Sequence, residues 1–102
     1  MSINSNGATI QVGRIPHGTG QLLNSGNRTT DALASGLYLI SAVSDTYYKG
    51  FASLAEASAD VTDTGVTVGA FMAAGGSDKV SVSKNEVIKI DSTGEMTVHK
   101  IG

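Results

Sequence analysis

Cysteine is absent from this 102-residue chain, so no disulfide can brace it. Tryptophan is absent as well, and only two Phe and three Tyr are present. Histidine occurs twice, at His17 and His99, too far apart in sequence to suggest a structural zinc site. The length allows one domain, and a domain of this size buries only part of the surface its unfolded chain exposes. Gly, Ser and Thr fill 35 of the 102 positions, leaving few large apolar side chains to build a core. Thin cores are commonly reinforced by disulfides, metals or subunit contacts. With the first two set aside, contact with other chains is the expected reinforcement.

Positive charge is also scarce. Seven Lys and Arg against nine Asp and Glu give a net charge of −2 and a pI near 5.5. The basic residues are scattered singly, whereas phosphate recognition wants a concentrated basic face. Nucleic acid is therefore not an expected partner. No run of eighteen apolar residues occurs, so no membrane-spanning helix is expected. Met1 to Gly7 carry neither a basic stretch nor an apolar run, so no secretory signal is expected. From Lys79 to Lys100 both signs of charge alternate, the usual mark of a solvated sheet face.

Along the chain, residues 1–34 read as a polar arm with one short strand. In Ala8-Thr9-Ile10-Gln11-Val12-Gly13 the alternation places Ile10 and Val12 on one face. Arg14-Ile15-Pro16-His17-Gly18-Thr19-Gly20 interrupts regular structure with a proline and two glycines. Gln21-Leu22-Leu23 is too short to classify by pattern, and Asn24-Ser25-Gly26-Asn27 reads as a turn. The arm either orders against a neighbour or forms an ordinary edge strand and loop.

Residues 35–102 read as an all-β domain, a small antiparallel β-sandwich or barrel. Leu37 to Val43 is apolar on both alternating faces, as in a central strand covered on both sides. Ser44-Asp45 turns into Thr46 to Ala52, rich in residues that favour strands. Ser53 to Ala59 favours one helical turn, with Ser53 and Glu56 spaced as a capping box. Asp63-Thr64-Gly65 reads as a turn before Val66 to Met72, with Val66, Val68, Ala70 and Met72 on one face. Lys79 to Ser83 alternates with its valines inward, then Glu86 to Ile90 and Glu95 to Ile101 follow. Asp91-Ser92-Thr93-Gly94 is expected to close a hairpin between those two. The last four strands fit a meander or a Greek key.

Constellations that carry chemistry are missing. No Gly-x-Ser-x-Gly elbow is present, and neither histidine has distinctive surroundings. His17 reads as a loop residue and His99 as a surface or edge residue of a strand. Gly18-Thr19-Gly20 lacks the further glycine, lysine and helix of a phosphate loop and reads as a hinge. Asp60, Asp63 and Asp78 belong in turns, without calcium-loop spacing. Asn27-Arg28-Thr29 matches a glycosylation triplet with no accompanying signal. Tyr47 and Tyr48, being adjacent on a strand, face opposite sides, one toward the core and one toward the rim. No catalytic residue, cofactor or metal is expected, and the chain does not read as an enzyme.

Ser35-Gly36-Leu37-Tyr38-Leu39-Ile40, Asp63-Thr64-Gly65-Val66-Thr67-Val68 and the closing Val87-Ile88-Lys89-Ile90, Ser-Thr-Gly turn and Met96-Thr97-Val98 carry a resemblance. In these residues the chain resembles small head-decoration and other capsid-associated β-sandwich proteins of tailed bacteriophages. Such proteins tend to have short Gly/Ser/Thr-rich strands, no cysteine and a polar N-terminal arm. The resemblance spans roughly residues 35–101 and transfers no functional residue. It implies a structural virion protein, made in the host cytoplasm, that binds a major capsid protein and stabilises the lattice. It also implies a homo-oligomer, with a trimer as the first expectation. An alternative from another class is a carbohydrate- or receptor-binding module of a tail or fibre, which would need exposed aromatics clustered on one face. The apolar residues of the arm, Ile3, Ile10, Val12 and Ile15, are the expected partner contacts.

Overall fold

The computed structural model describes residues 20–60 and 69–102. The elements run β1 (Gln21–Leu23), β2 (Gly36–Ala42), β3 (Thr46–Phe51), α1 (Leu54–Ala59), β4 (Ala70–Met72), β5 (Ser77–Val82), β6 (Val87–Ile90) and β7 (Met96–Lys100). They form two antiparallel sheets, one ordered β1-β7-β2-β5 and the other β4-β3-β6. The all-β sandwich expected from the strand pattern is thus the architecture.

Period-2 alternation decides which side chains meet between the sheets. Tyr38, Ile40 and Ala42 of β2, Met96 and Val98 of β7, and Val82 of β5 face Met72 of β4 and Ile88 and Ile90 of β6. Leu23 and Leu33 complete this core. Tyr38 is buried with its hydroxyl donating to the Ala34 carbonyl at 2.8 Å, which satisfies the one polar atom it carries inward.

Three expectations change. β2 lies in the interior of its sheet, between β7 and β5, but is packed on one face only, since Leu37 is exposed and Leu39 partly so. The turn at Asp91–Gly94 does not close a hairpin: β6 and β7 belong to different sheets, and the turn carries the chain across the sandwich. The strands from β4 onward do not form a meander, because β5 pairs with β2, β6 with β3, and β7 with both β1 and β2. A turn's residue types specify its local bend, but the strand partner is chosen by which apolar face can be buried.

Gln21–Leu23, too short to classify by pattern, is a strand because β7 supplies its partners: Gln21 lies opposite Val98 and Leu23 opposite Met96. Asn24 to Asn27 is the expected turn. The two residues exchange backbone hydrogen bonds of 3.0 and 3.1 Å, and the Asn24 side-chain oxygen accepts from Gly26 and Asn27 N–H. Beyond it the chain crosses to the second sheet. Thr30 N–H donates to the Ile88 carbonyl, Ile90 N–H to the Arg28 carbonyl and Leu33 N–H to the Glu86 carbonyl. Thr30 Oγ1 accepts from Ile88 N–H at 3.0 Å. β6 is therefore held from both sides, and all four of its residues are buried.

Helix α1 forms where the capping box places it. Ser53 is the N-cap and its hydroxyl accepts from Glu56 N–H at 3.2 Å. The helix packs against β3 and β6, burying Ala57 over the outer face of the smaller sheet. The turn expected at Asp63-Thr64-Gly65 and most of the strand begun at Val66 lie outside the described residues. Of that strand Ala70–Met72 is described, with Met72 buried and Ala70 exposed.

Candidate partner-binding cleft

β5 sits at one end of its sheet, and among the described residues it has a strand partner on one side only. Its alternation is clean: Val80 and Val82 turn inward while Lys79 and Ser81 are exposed. Lys79 N–H donates to the Asp78 side-chain carboxylate at 2.8 Å, so this N–H faces away from β2. In an antiparallel ladder the outward-facing residues alternate, so Ser77, Lys79 and Ser81 present their backbone groups to the free side.

Beneath this edge the two sheets do not close. Tyr48, Gly50, Val80, Val82, Val87 and Ile88, with Ser81 and Glu86 at the rim, line a cleft of about 170 Å³. Its cause is Gly50. The register sets Gly50 opposite Ile88 and Tyr48 opposite Ile90, which puts position 50 on the inward face of β3. A Cβ built there would meet nothing nearer than the Val87 carbonyl oxygen at 3.9 Å. Any residue but glycine would begin to fill the space. Tyr48 borders the cleft half-buried, and desolvation, followed by the negative charge of Asp78, raises its phenol pKa above the usual value of 10.0.

On the opposite side of the smaller sheet, Tyr47 and Phe71 lie directly across from each other. Their ring centroids are 5.0 Å apart at an interplanar angle of 58°. Both are exposed, at 39% and 52%. Lys49 and Lys89 are also cross-strand neighbours on this face, a pairing that repels unless the charges separate. They do separate. Lys49 Nζ sits 5.2 Å from the centre of the Phe51 ring. Lys89 runs beneath helix α1 and donates to the carbonyls of Ala57 and Asp60, both at 2.8 Å. Lys89 is 7% exposed, so the solvated face expected from the alternating charges is interrupted here by a buried cation that caps a helix.

The expected partner contacts Ile3, Ile10, Val12 and Ile15 lie outside the described residues, as does His17. His99 is partly buried at the β1 side of its sheet, its ring against Gly20 and its Nδ1 enclosed without a hydrogen-bond partner. Tyr47 takes the rim and Tyr48 the cleft, opposite faces as adjacent strand positions require. No group of three or more His, Asp or Glu that could hold a metal occurs among the described residues. No helix among them is long and apolar enough to cross a membrane. Alternation alone could not reveal the cleft, because a glycine in a strand gives no sign of whether a neighbour fills its place. Comparison with family models, with curated proteins and with solved structures finds no match to this chain.

Proposed function

We propose that this chain is a structural virion protein of a bacteriophage, a decoration or cement component that binds the major shell protein and assembles with copies of itself. The observation that carries this reading is that, among the described residues, a six-residue strand edge with a partner on one side only lies over an apolar cleft. An exposed edge of this kind either invites indiscriminate pairing or serves a specific partner. Here Asp78 and Lys79 place charge on the edge, which discourages the first. The uncharged run from residue 1 to 13, with its Ile10/Val12 alternation, supplies a segment suited to strand addition, in which backbone hydrogen bonds contribute affinity and alternate side chains contribute specificity. The thin core and the absence of cysteine agree with a fold completed by neighbours.

Deletion of residues 1–13 is expected to weaken attachment to the shell while the sheet domain keeps its cooperative melt. Full-strength attachment of the shortened protein would refute the reading. A second reading, a glycan-binding module of a tail or fibre, draws support from the exposed Tyr47–Phe71 pair. A glycan array separates the two: binding that disappears in Phe71→Ala favours the second.

A further inference from the structure

The cleft under β5 has a shape and a chemistry that match one segment of this chain. We propose that Ile10 and Val12 of a neighbouring copy add a strand to the free edge of β5, with Ile10 filling the space left by Gly50. The inference deepens the proposed function, since it rests on the arm being the segment that engages a neighbour, and it names the receiving site.

The pattern of the two strands fits. An added antiparallel strand places residues directly opposite one another on the same face. With Ile10 opposite Val82 and Val12 opposite Val80, both apolar pairs point between the sheets. Gln11 then falls opposite Ser81 on the solvent face and Gly13 opposite Lys79. The hydrogen-bonding positions are the outward-facing backbone groups of Lys79 and Ser81, with the Asp78 carboxylate releasing Lys79 N–H to the incoming strand. Size agrees as well. A cavity of about 150 Å³ accommodates a benzene-sized group, and the cleft is about 170 Å³. Its lining is aliphatic apart from the Tyr48 ring and the rim, which suits an isoleucine better than a polar or charged side chain.

Chain length decides that the strand comes from another copy. The registers of β1 on β7, β7 on β2 and β2 on β5 set Gly20 level with Lys79, at the far side of the sheet. The added strand would lie four strand spacings from β1, about 19 Å. To reach it, the connection must also rise over the side chains of the outer face and descend again, adding about 10 Å, the thickness of one side-chain layer on each side of the climb. Six residues lie between Gly13 and Gly20, and the seven Cα-to-Cα steps from one to the other span at most about 25 Å when fully extended. The arm of one chain therefore falls short of its own β5.

The test uses the whole chain, which has no cysteine of its own. Two preparations carrying different affinity tags are mixed at micromolar concentration under mild oxidation, one bearing Gln11→Cys and the other Ser81→Cys. Opposed residues of a hydrogen-bonded antiparallel pair have Cα atoms about 5.5 Å apart, within disulfide reach. The expected result is a mixed, disulfide-linked dimer. Its yield is expected to fall about tenfold or more with Ile10→Asp or with Gly50→Val, the factor implied by losing the burial of one aliphatic side chain. Gly50→Val is expected to melt at or above the parent temperature, because the new side chain enters open space. Ile10→Asp provides the second route should that variant misfold. Absence of the mixed dimer overturns the proposal, as does a yield unchanged by both substitutions, or a monomeric intrachain disulfide when both cysteines are placed in one chain. Binding to the viral shell is scored separately, so the arm exchange can fail while shell attachment stands.

Discussion

Thr46 shows how a single hydroxyl can hold two segments of a thin-cored domain together. Its side chain is fully buried, donates to the Ser44 carbonyl at 2.7 Å and accepts from Glu95 N–H at 3.1 Å. Gly94 packs against it so closely that a Cβ would lie 2.7 Å from both Thr46 Cγ2 and Asp91 Oδ1. The turn from β6 to β7 thus depends on a glycine for clearance and on a threonine for its hydrogen bonds. Thr46→Val keeps the shape and removes the hydroxyl, leaving the partly buried Glu95 N–H without its acceptor. The expected loss is about 1–3 kcal/mol of unfolding free energy, read from the urea midpoint at unchanged slope. A shift indistinguishable from zero would mean that water reaches Glu95 N–H and that the site is not sealed. In sequence, Thr46 reads only as a strand-favouring residue; its hydrogen bonds depend on Glu95, 49 positions away, and so were not legible.

Helix α1 is too short to be stable by propensity, since isolated helices of under about a dozen residues are marginal. Two devices hold it. Ser53 caps the amino end, and Lys89 reaches from β6 to the carbonyls at the carboxyl end, where the helix itself has no basic residue. Lys89→Met keeps the length and apolar stem but removes the charge and its hydrogen bonds. A loss of about 1.5–3 kcal/mol is expected, the range for hydrogen bonds made by charged groups. The loss should appear locally as faster hydrogen exchange at Ala57 N–H, which donates to the Ser53 carbonyl. Unchanged exchange with unchanged stability would show that packing against β3 and β6 suffices. The amino end of this helix was legible, because a capping box is a signal carried by close neighbours in sequence. The carboxyl end was not, because its cap comes from a strand 29 positions beyond Asp60. Strand positions were legible wherever alternation ran cleanly, as at Val80 and Val82. The pairing of strands was not, since identical turn residues serve a hairpin and a sheet-to-sheet crossing alike.

For the whole molecule, the strand order places β7 between β1 and β2 in the larger sheet. Gln21 and Ile40 both register with Val98, so neighbours far apart in sequence share one central strand. Folds dominated by such distant pairings close long loops before contacts stabilise them, and they fold over milliseconds to seconds. Refolding on that timescale is expected in stopped-flow fluorescence of the tyrosines; completion within microseconds would contradict it. The same arrangement governs synthesis on the ribosome. Until residues 96–100 leave the exit tunnel, β1 lacks a partner and β2 has one only in β5. The nascent chain consequently holds two strand edges open until β7 has been made, and neighbouring nascent copies on one message would meet as unfinished sheets rather than as finished domains.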